Sequence, residues 1–206
     1  MIDNFEIIKP LFYFNEANNM FMHCQIVQRA KDHKGSKVKE GAIKTYFIRS
    51  REHLERVKEE IILLCNHYKA RAYINTAGKD FSALQSLMLV KLASDVHLGN
   101  NRNPRKALNS AAGELKSRRP RWIVDIDDTA LTEPVLHWLD EYFKVTKVST
   151  IGDRESVYLE ATIPTAQGEH LIVPPFNLQL FHATFPHIDV HKNSMGTLLY
   201  MPDINQ

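Results

Sequence analysis

The chain has 206 residues, 44% apolar and 24% charged, which suits a globular protein with a sizeable core and excludes the disordered class. Its 26 Lys and Arg against 24 Asp and Glu leave a formal charge of +2, a sum too near neutral to mark a nucleic-acid binder. No apolar run reaches the length of a transmembrane helix, Asp3, Glu6 and Lys9 interrupt any secretory leader, and Cys24 and Cys65 form no Cys-x-x-Cys pair. A reducing cytoplasm with no membrane contact is therefore the expectation.

Residues 21–27 and 42–48 read as strands joined by a Lys-, Gly- and Asp-rich hairpin tip. Ser50 is positioned to cap a helix whose Leu54, Val57, Ile61 and Leu64 form one apolar stripe. A short strand is expected over 70–75. Asp80 caps a second helix that ends at Gly99, and Asn103-Pro104 opens a third that buries Ala107, Leu108, Ala111, Ala112 and Leu115. The link 99–103 is the expected boundary between an N-terminal α/β lobe (about 1–100) and a second lobe (about 101–206). In the second lobe, strands are predicted at 122–127, 145–149, 156–163 and 170–173, then near 187–190 and 197–201. Helices are predicted to start at Thr132 and to span 177–183. The β-α-β-β-α-β order is that of a ferredoxin/RRM-like antiparallel sheet, so the predicted class is α+β.

The most informative stretch is Trp122-Ile123-Val124-Asp125-Ile126-Asp127-Asp128. In a strand, Asp125 and Asp127 project to one side while Val124 and Ile126 anchor the other. Two carboxylates on one face repel unless a cation lies between them, and their hard oxygens suit Mg²⁺ or Mn²⁺. Asp125-Ile126-Asp127-Asp128-Thr129 also resembles the Asp-x-Asp-x-Thr motif of haloacid-dehalogenase-type phosphatases, which implies Asp125 as nucleophile. That family needs a parallel sheet and further motifs that the strand-dense tail lacks. Farther along, Gly168-Glu169-His170 places a histidine at the start of a strand after a glycine turn, where an imidazole can donate to phosphate.

Together these segments resemble the archaeo-eukaryotic primase superfamily of primase-polymerases found in phage and mobile elements. Its members carry a hydrophobic-Asp-hydrophobic-Asp strand, a small-x-His strand and a hydrophobic-Asp strand. Here these correspond to Val124 to Asp127, Gly168 to His170, and Ile188-Asp189. The resemblance implies that Asp125, Asp127 and Asp189 hold divalent metals at the catalytic centre. It implies that His170 contacts the phosphates of the incoming nucleotide, and that the partners are a DNA template, nucleoside triphosphates and a helicase on a separate chain. A non-catalytic nucleic-acid-binding replication module is the alternative on the same fold.

The charges are segregated beneath their neutral sum. Residues 102–121 hold seven basic residues against one acidic, and 28–58 hold ten against four, whereas 122–160 hold nine acidic against three basic. Arg105, Lys106, Arg118, Arg119 and Arg121 are the expected nucleic-acid contacts, since phosphate binding needs cations and no sequence readout. Arg71, Tyr73 and Asn75 alternate along their strand and offer a second set, with core packing expected for Tyr73.

Overall fold

The computed structural model describes residues 1–33, 40–100, 103–117, 119–146, 158–192 and 196–203. The chain opens with a two-residue strand β1 (Ile2–Asp3) and a one-turn helix α1 (Phe5–Ile8), which the apolar periodicity does not announce. Phe5 and Ile8 are nonetheless fully buried. Next come β2 (Met20–Gln28) and β3 (Gly41–Ile48), an antiparallel pair with a register shift between Ile26 and Val27. The hairpin tip 34–39 lies outside the described residues.

Helix α2 (Arg51–Tyr68) begins where the Ser50 hydroxyl accepts the His53 N–H at 3.0 Å, and it buries Leu54, Ile61 and Cys65. β4 (Arg71–Ile74) and β5 (Lys79–Asp80) follow. Asp80 caps α3 (Phe81–His97) through the Ala83 N–H, and Gly99 just beyond it takes the left-handed φ of 69°. Asn103 caps α4 (Pro104–Glu114) through the Arg105 N–H.

The second half contains β6 (Trp122–Ile126), α5 (Thr132–Thr146), β7 (Ala161–Pro164), β8 (Glu169–Val173), α6 (Leu178–Thr184), β9 (Asp189–His191) and β10 (Thr197–Met201). Val145 and Thr146 complete α5 rather than starting a strand, and 147–157 lie outside the described residues. The long apolar face of α5, with Val135, Leu139 and Phe143 buried, carries the helix one turn past the expected stop.

The protein is thus of mixed α+β class with two antiparallel sheets. One has the order β1-β10-β4-β2-β3 with β5 beside β2, the other the order β7-β8-β6-β9. The division of the chain between them differs from the expected break at 99–103. β10 returns to the first sheet between β1 and β4, and α4 buries Ala111 and Ala112 with Leu84 and Phe21 on α3 and β2. Only β6 through β9 build the second sheet.

Alternation explains how the sheets meet. Met22, Cys24 and Ile26 face a core that takes in α2, Phe5, Ile8 and Leu199, and also Ile123, Ile163 and Ile172 from the second sheet. Val124, Ile126, Leu171 and Val173 point the other way, beneath Val135, Leu139 and Phe143 of α5 and Phe181 of α6. The two sheets therefore share one seam, and every second residue of β6 and β8 faces it.

Arg121 ties this seam together. It is 5% exposed, and its guanidinium donates to the carbonyl oxygens of Leu11 and Thr76 at 2.7 Å each. It also pairs with Glu160 just before β7, with Nε at 2.8 Å from Oε2, and it lies over the Tyr13 ring. The expectation that Arg121 contacts nucleic acid is corrected on this ground: its donors are consumed inside the protein. A charge run reports only residue type, whereas Glu160, 39 positions away, decides that this arginine is buried.

Candidate functional site

β6 is an interior strand of its sheet, with β8 on one side and β9 on the other. Asp125 is directly opposite His170 on β8 and directly opposite Asp189 on β9. Directly paired residues of an antiparallel ladder share a face, so the three form one row across three strands. The next residue along that face of β9 is His191. The face is the one that meets the first sheet, and Ile123 and Ile172 close the seam below the row.

His170 is only 8% exposed, with its Nδ1 2.8 Å from Thr197 Oγ1 and its Nε2 3.2 Å from Asp125 Oδ1. Thr197 is fully buried at the start of β10, so the imidazole is gripped from both sheets. His191 Nε2 lies 3.6 Å from Asp125 Oδ2, beyond hydrogen-bond length. The bond from His170, opposed by burial and aided by the nearby His191, holds the Asp125 carboxyl below its ordinary range.

β6 ends at Ile126, one position short of the expected strand end, and leaves Asp127 in an exposed bend. Asp128 turns away to cap the short 3₁₀ turn at Thr129 through the Ala130 N–H at 3.0 Å. Asp125, Asp127, Asp128 and Asp189 nevertheless line one pocket of about 200 Å³, together with Ile126, Leu131, His187 and Ile188. His170 is not in that lining.

Gly168 fixes how closely β8 approaches. A Cβ there would lie 1.9 Å from the Ile126 carbonyl oxygen and 3.0 Å from Asp127 Cα. Its backbone is not in the left-handed region, so glycine is required by contact with β6 and not by the turn itself. Thr165 shapes that turn, its hydroxyl accepting the Gly168 N–H at 3.0 Å. On the other side of Gly168, the Thr132 hydroxyl donates to Glu169 and ties β8 to the start of α5.

The carboxylates supply the hard oxygen donors that Mg²⁺ or Mn²⁺ prefers, and such ions need only one or two carboxylates when substrate phosphates complete the shell. Asp125 and Asp189 meet that requirement as a facing pair. Among the described residues, no three His, Cys, Asp or Glu side chains converge on a single metal position. The donor set thus fits a metal brought in with phosphates, not a cage that holds one alone.

The expected basic contacts are dispersed. Arg105 and Lys106 are exposed on the first turn of α4. That helix packs on the Phe21 and Phe47 side of the first sheet, away from the seam. Arg119 is exposed and stacks over Tyr13 beside Arg121, near the start of β6 and so at the opposite end of that strand from the pocket. Arg118 lies outside the described residues. Arg71 is engaged by Asp32 at 2.7 Å, the Tyr73 hydroxyl accepts from Arg29 at 3.0 Å, and Asn75 is buried with its side-chain oxygen accepting the Ala77 N–H.

Three polar residues at the site have no role in the sequence reading: Thr197, His191 and His187, which lines the pocket. His191 carries a readable signal, because it stands two positions after Asp189 and strand alternation returns it to the same face. Thr197 carries none, since its contact depends on β10 crossing to the other sheet. No helix among the described residues is long and apolar enough to cross a membrane. Comparison with protein-family models, with curated proteins and with solved structures gave no match to this chain.

Proposed function

We propose that this protein is a primase-polymerase-like nucleotidyltransferase that makes or extends primers on a DNA template with Mg²⁺ or Mn²⁺. The observation that carries the reading is the row of Asp125, His170 and Asp189 across three neighbouring strands at the seam of two sheets. Asp125, His170 and Asp189, one from each of three short motifs spread over 65 positions of sequence, lie side by side there, which supports the reading. The order β7-β8-β6-β9, with every pair antiparallel, supports a ferredoxin/RRM-like arrangement of the second sheet. It weighs against the phosphatase reading, which needs parallel neighbours beside the Asp125 strand.

In this reading Asp125 and Asp189, with Asp127 at the rim, hold the metal-bound triphosphate in the pocket. The primer 3′-hydroxyl gives up its proton to water, its oxygen forms a bond to the α-phosphorus, the bond from that phosphorus to the bridging oxygen breaks, and pyrophosphate leaves. Divalent ions held by Asp125 and Asp189 would supply activation of the attacking oxygen and neutralisation of the leaving group. Asp125 takes up its task while already ionised, since the His170 contact favours its charged form. Exposed Arg119 supplies a phosphate contact outside the pocket.

A primer-extension assay with a primed DNA template, NTPs or dNTPs, and Mg²⁺ or Mn²⁺ tests the proposal. Product that disappears with Asp125→Ala plus Asp127→Ala supports it, and product unchanged by that double substitution refutes it. The non-catalytic reading draws on one observation, that both oxygens of Asp125 face imidazoles. It predicts DNA binding that survives the double substitution, with no product from the wild type. Release of phosphate from a simple monoester, abolished by Asp125→Asn, would instead support the phosphatase.

A further inference from the structure

We infer that His187, on the turn between α6 and β9, is the side chain that donates to the phosphates of the incoming nucleotide in the pocket. This role rests on the nucleotidyltransferase reading above and names the phosphate contact within it.

The make-up of the pocket calls for such a donor. Its eight lining residues are four aspartates, the aliphatic Ile126, Leu131 and Ile188, and His187, with no lysine or arginine among them. Ionised carboxylates only accept hydrogen bonds, and so do the oxygens of a triphosphate. Divalent ions join some of those oxygens to Asp125 and Asp189, but Mg²⁺ keeps several of its waters and takes only part of the phosphate surface. The oxygens left over stand among like charges and need a donor. His187 is the one lining residue whose side chain carries an N–H, and even the neutral ring has one.

The two imidazoles beside Asp125 do not fill this place. Neither His170 nor His191 belongs to the lining. His170 is buried, with Nδ1 2.8 Å from the Thr197 hydroxyl and Nε2 3.2 Å from Asp125. His187 is held instead by its neighbours in the chain. The Phe185 N–H donates to the Phe181 carbonyl oxygen at 2.8 Å, and the Ile188 N–H reaches the Phe185 oxygen at 3.4 Å. Ile188 is buried in the core under α5 and α6, and Asp189 stands directly opposite Asp125. With those two residues fixed, His187 is carried at the pocket beside the carboxylate that holds the ion. It is exposed, and no hydrogen bond or ion pair to another described residue engages its ring. A phosphate oxygen meets this donor without an existing bond being broken.

Equilibrium binding of two probes with Mg²⁺ tests the assignment: a non-hydrolysable dNTP analogue, and inorganic tripolyphosphate, which has neither sugar nor base. His187→Ala is expected to weaken both by about ten-fold, the size of one hydrogen bond to a charged group, and to leave Tm unchanged. His187→Phe, which keeps a ring without a donor, should lose as much. His187→Gln, which keeps a side-chain N–H, should stay within about three-fold of wild type. His182→Ala, at an exposed position on α6 outside the pocket, should bind as wild type does. In primer extension, KM for the dNTP should follow the affinity of the analogue. Wild-type affinity in His187→Ala, a loss confined to the dNTP analogue, or full affinity in His187→Phe overturns the assignment, and primer extension by the wild type then leaves the nucleotidyltransferase reading standing. Wild-type protein that binds neither probe and extends no primer overturns that reading itself, and this inference falls with it.

Discussion

Replacing Arg121 by Met separates what a basic residue does inside this protein from what its neighbour Arg119 does outside. Methionine keeps most of the stem volume and removes the guanidinium. The carbonyl oxygens of Leu11 and Thr76 each lose a charged donor at 2.7 Å, and Glu160 loses its buried partner. Each hydrogen bond to a charged group contributes about 1.5–3 kcal/mol, and breaking a buried pair costs about 3–5 kcal/mol. These overlap, since one group makes them all, so a loss of about 4 kcal/mol is expected. For a chain of this size that corresponds to a fall in Tm of roughly 8–16 °C. Arg119 is exposed and 3.8 Å from Glu160, so Arg119→Met should cost at most about 1 kcal/mol. Urea unfolding of both variants reads the difference directly. In DNA binding measured against salt, Arg119→Met should reduce the slope by about 0.9, while Arg121→Met below its melting range should leave it unchanged. An Arg121→Met protein within about 1 kcal/mol of wild type would refute the account of Arg121 as the tie across the seam.

Gly168→Ala places a Cβ 1.9 Å from the Ile126 carbonyl oxygen, so β8 must retreat from β6. A cost of about 1–3 kcal/mol is expected, with reduced primer extension as His170 moves from Asp125; an alanine variant as stable and active as wild type would show that the contact is absent. Burial, with a lesser contribution from Lys79, lowers the His23 imidazole from 6.5 to about 4, and its Nε2 has no hydrogen-bond partner among the described residues. The unfolded chain therefore takes up a proton that the folded one refuses. Stability from this group is intact above pH 6.5 and falls as the pH drops toward 4, by roughly 3 kcal/mol across that window. His23→Leu should flatten that part of the stability profile, and parallel profiles for the two proteins would exclude His23 as its source.

What could be read from the sequence was local. Ser50, Asp80 and Asn103 cap their helices because each cap is a contact two or three residues long, written in adjacent positions. The alternation in 122–126 and 170–173 fixed which side chains face the seam, since a strand's period is two whatever its neighbours are. The rest depended on partners far along the chain. β10 crosses to the first sheet because Leu199 and Tyr200 complete the core there, a choice that its own apolar run does not encode. Arg121 looked like part of a basic surface until Glu160, Leu11 and Thr76 closed around it. Val145 belongs to α5 because the preceding turns bury their apolar face, which outweighs the strand preference of a β-branched residue.

The same distinction bears on which carboxylates act together. The pair that stands out in the sequence is Asp125 and Asp127, but residues two apart along an extended chain are separated by about 6.7 Å of strand, and Asp127 lies beyond the strand end. Residues directly opposite on paired strands have their Cβ atoms only about 4.5–5.5 Å apart, the relation between Asp125 and Asp189. A single small cation bridged by two carboxylates is better served by the closer, facing pair. Asp189, the motif residue standing only 19 positions after His170, thus has the stronger geometric claim to share an ion with Asp125, and Asp127 is left to the rim of the pocket. The two sides of Asp125 then differ in kind: His170 contacts it from within the seam, and β9 offers the Asp189 carboxylate at the pocket, where a phosphate-bound ion would meet it.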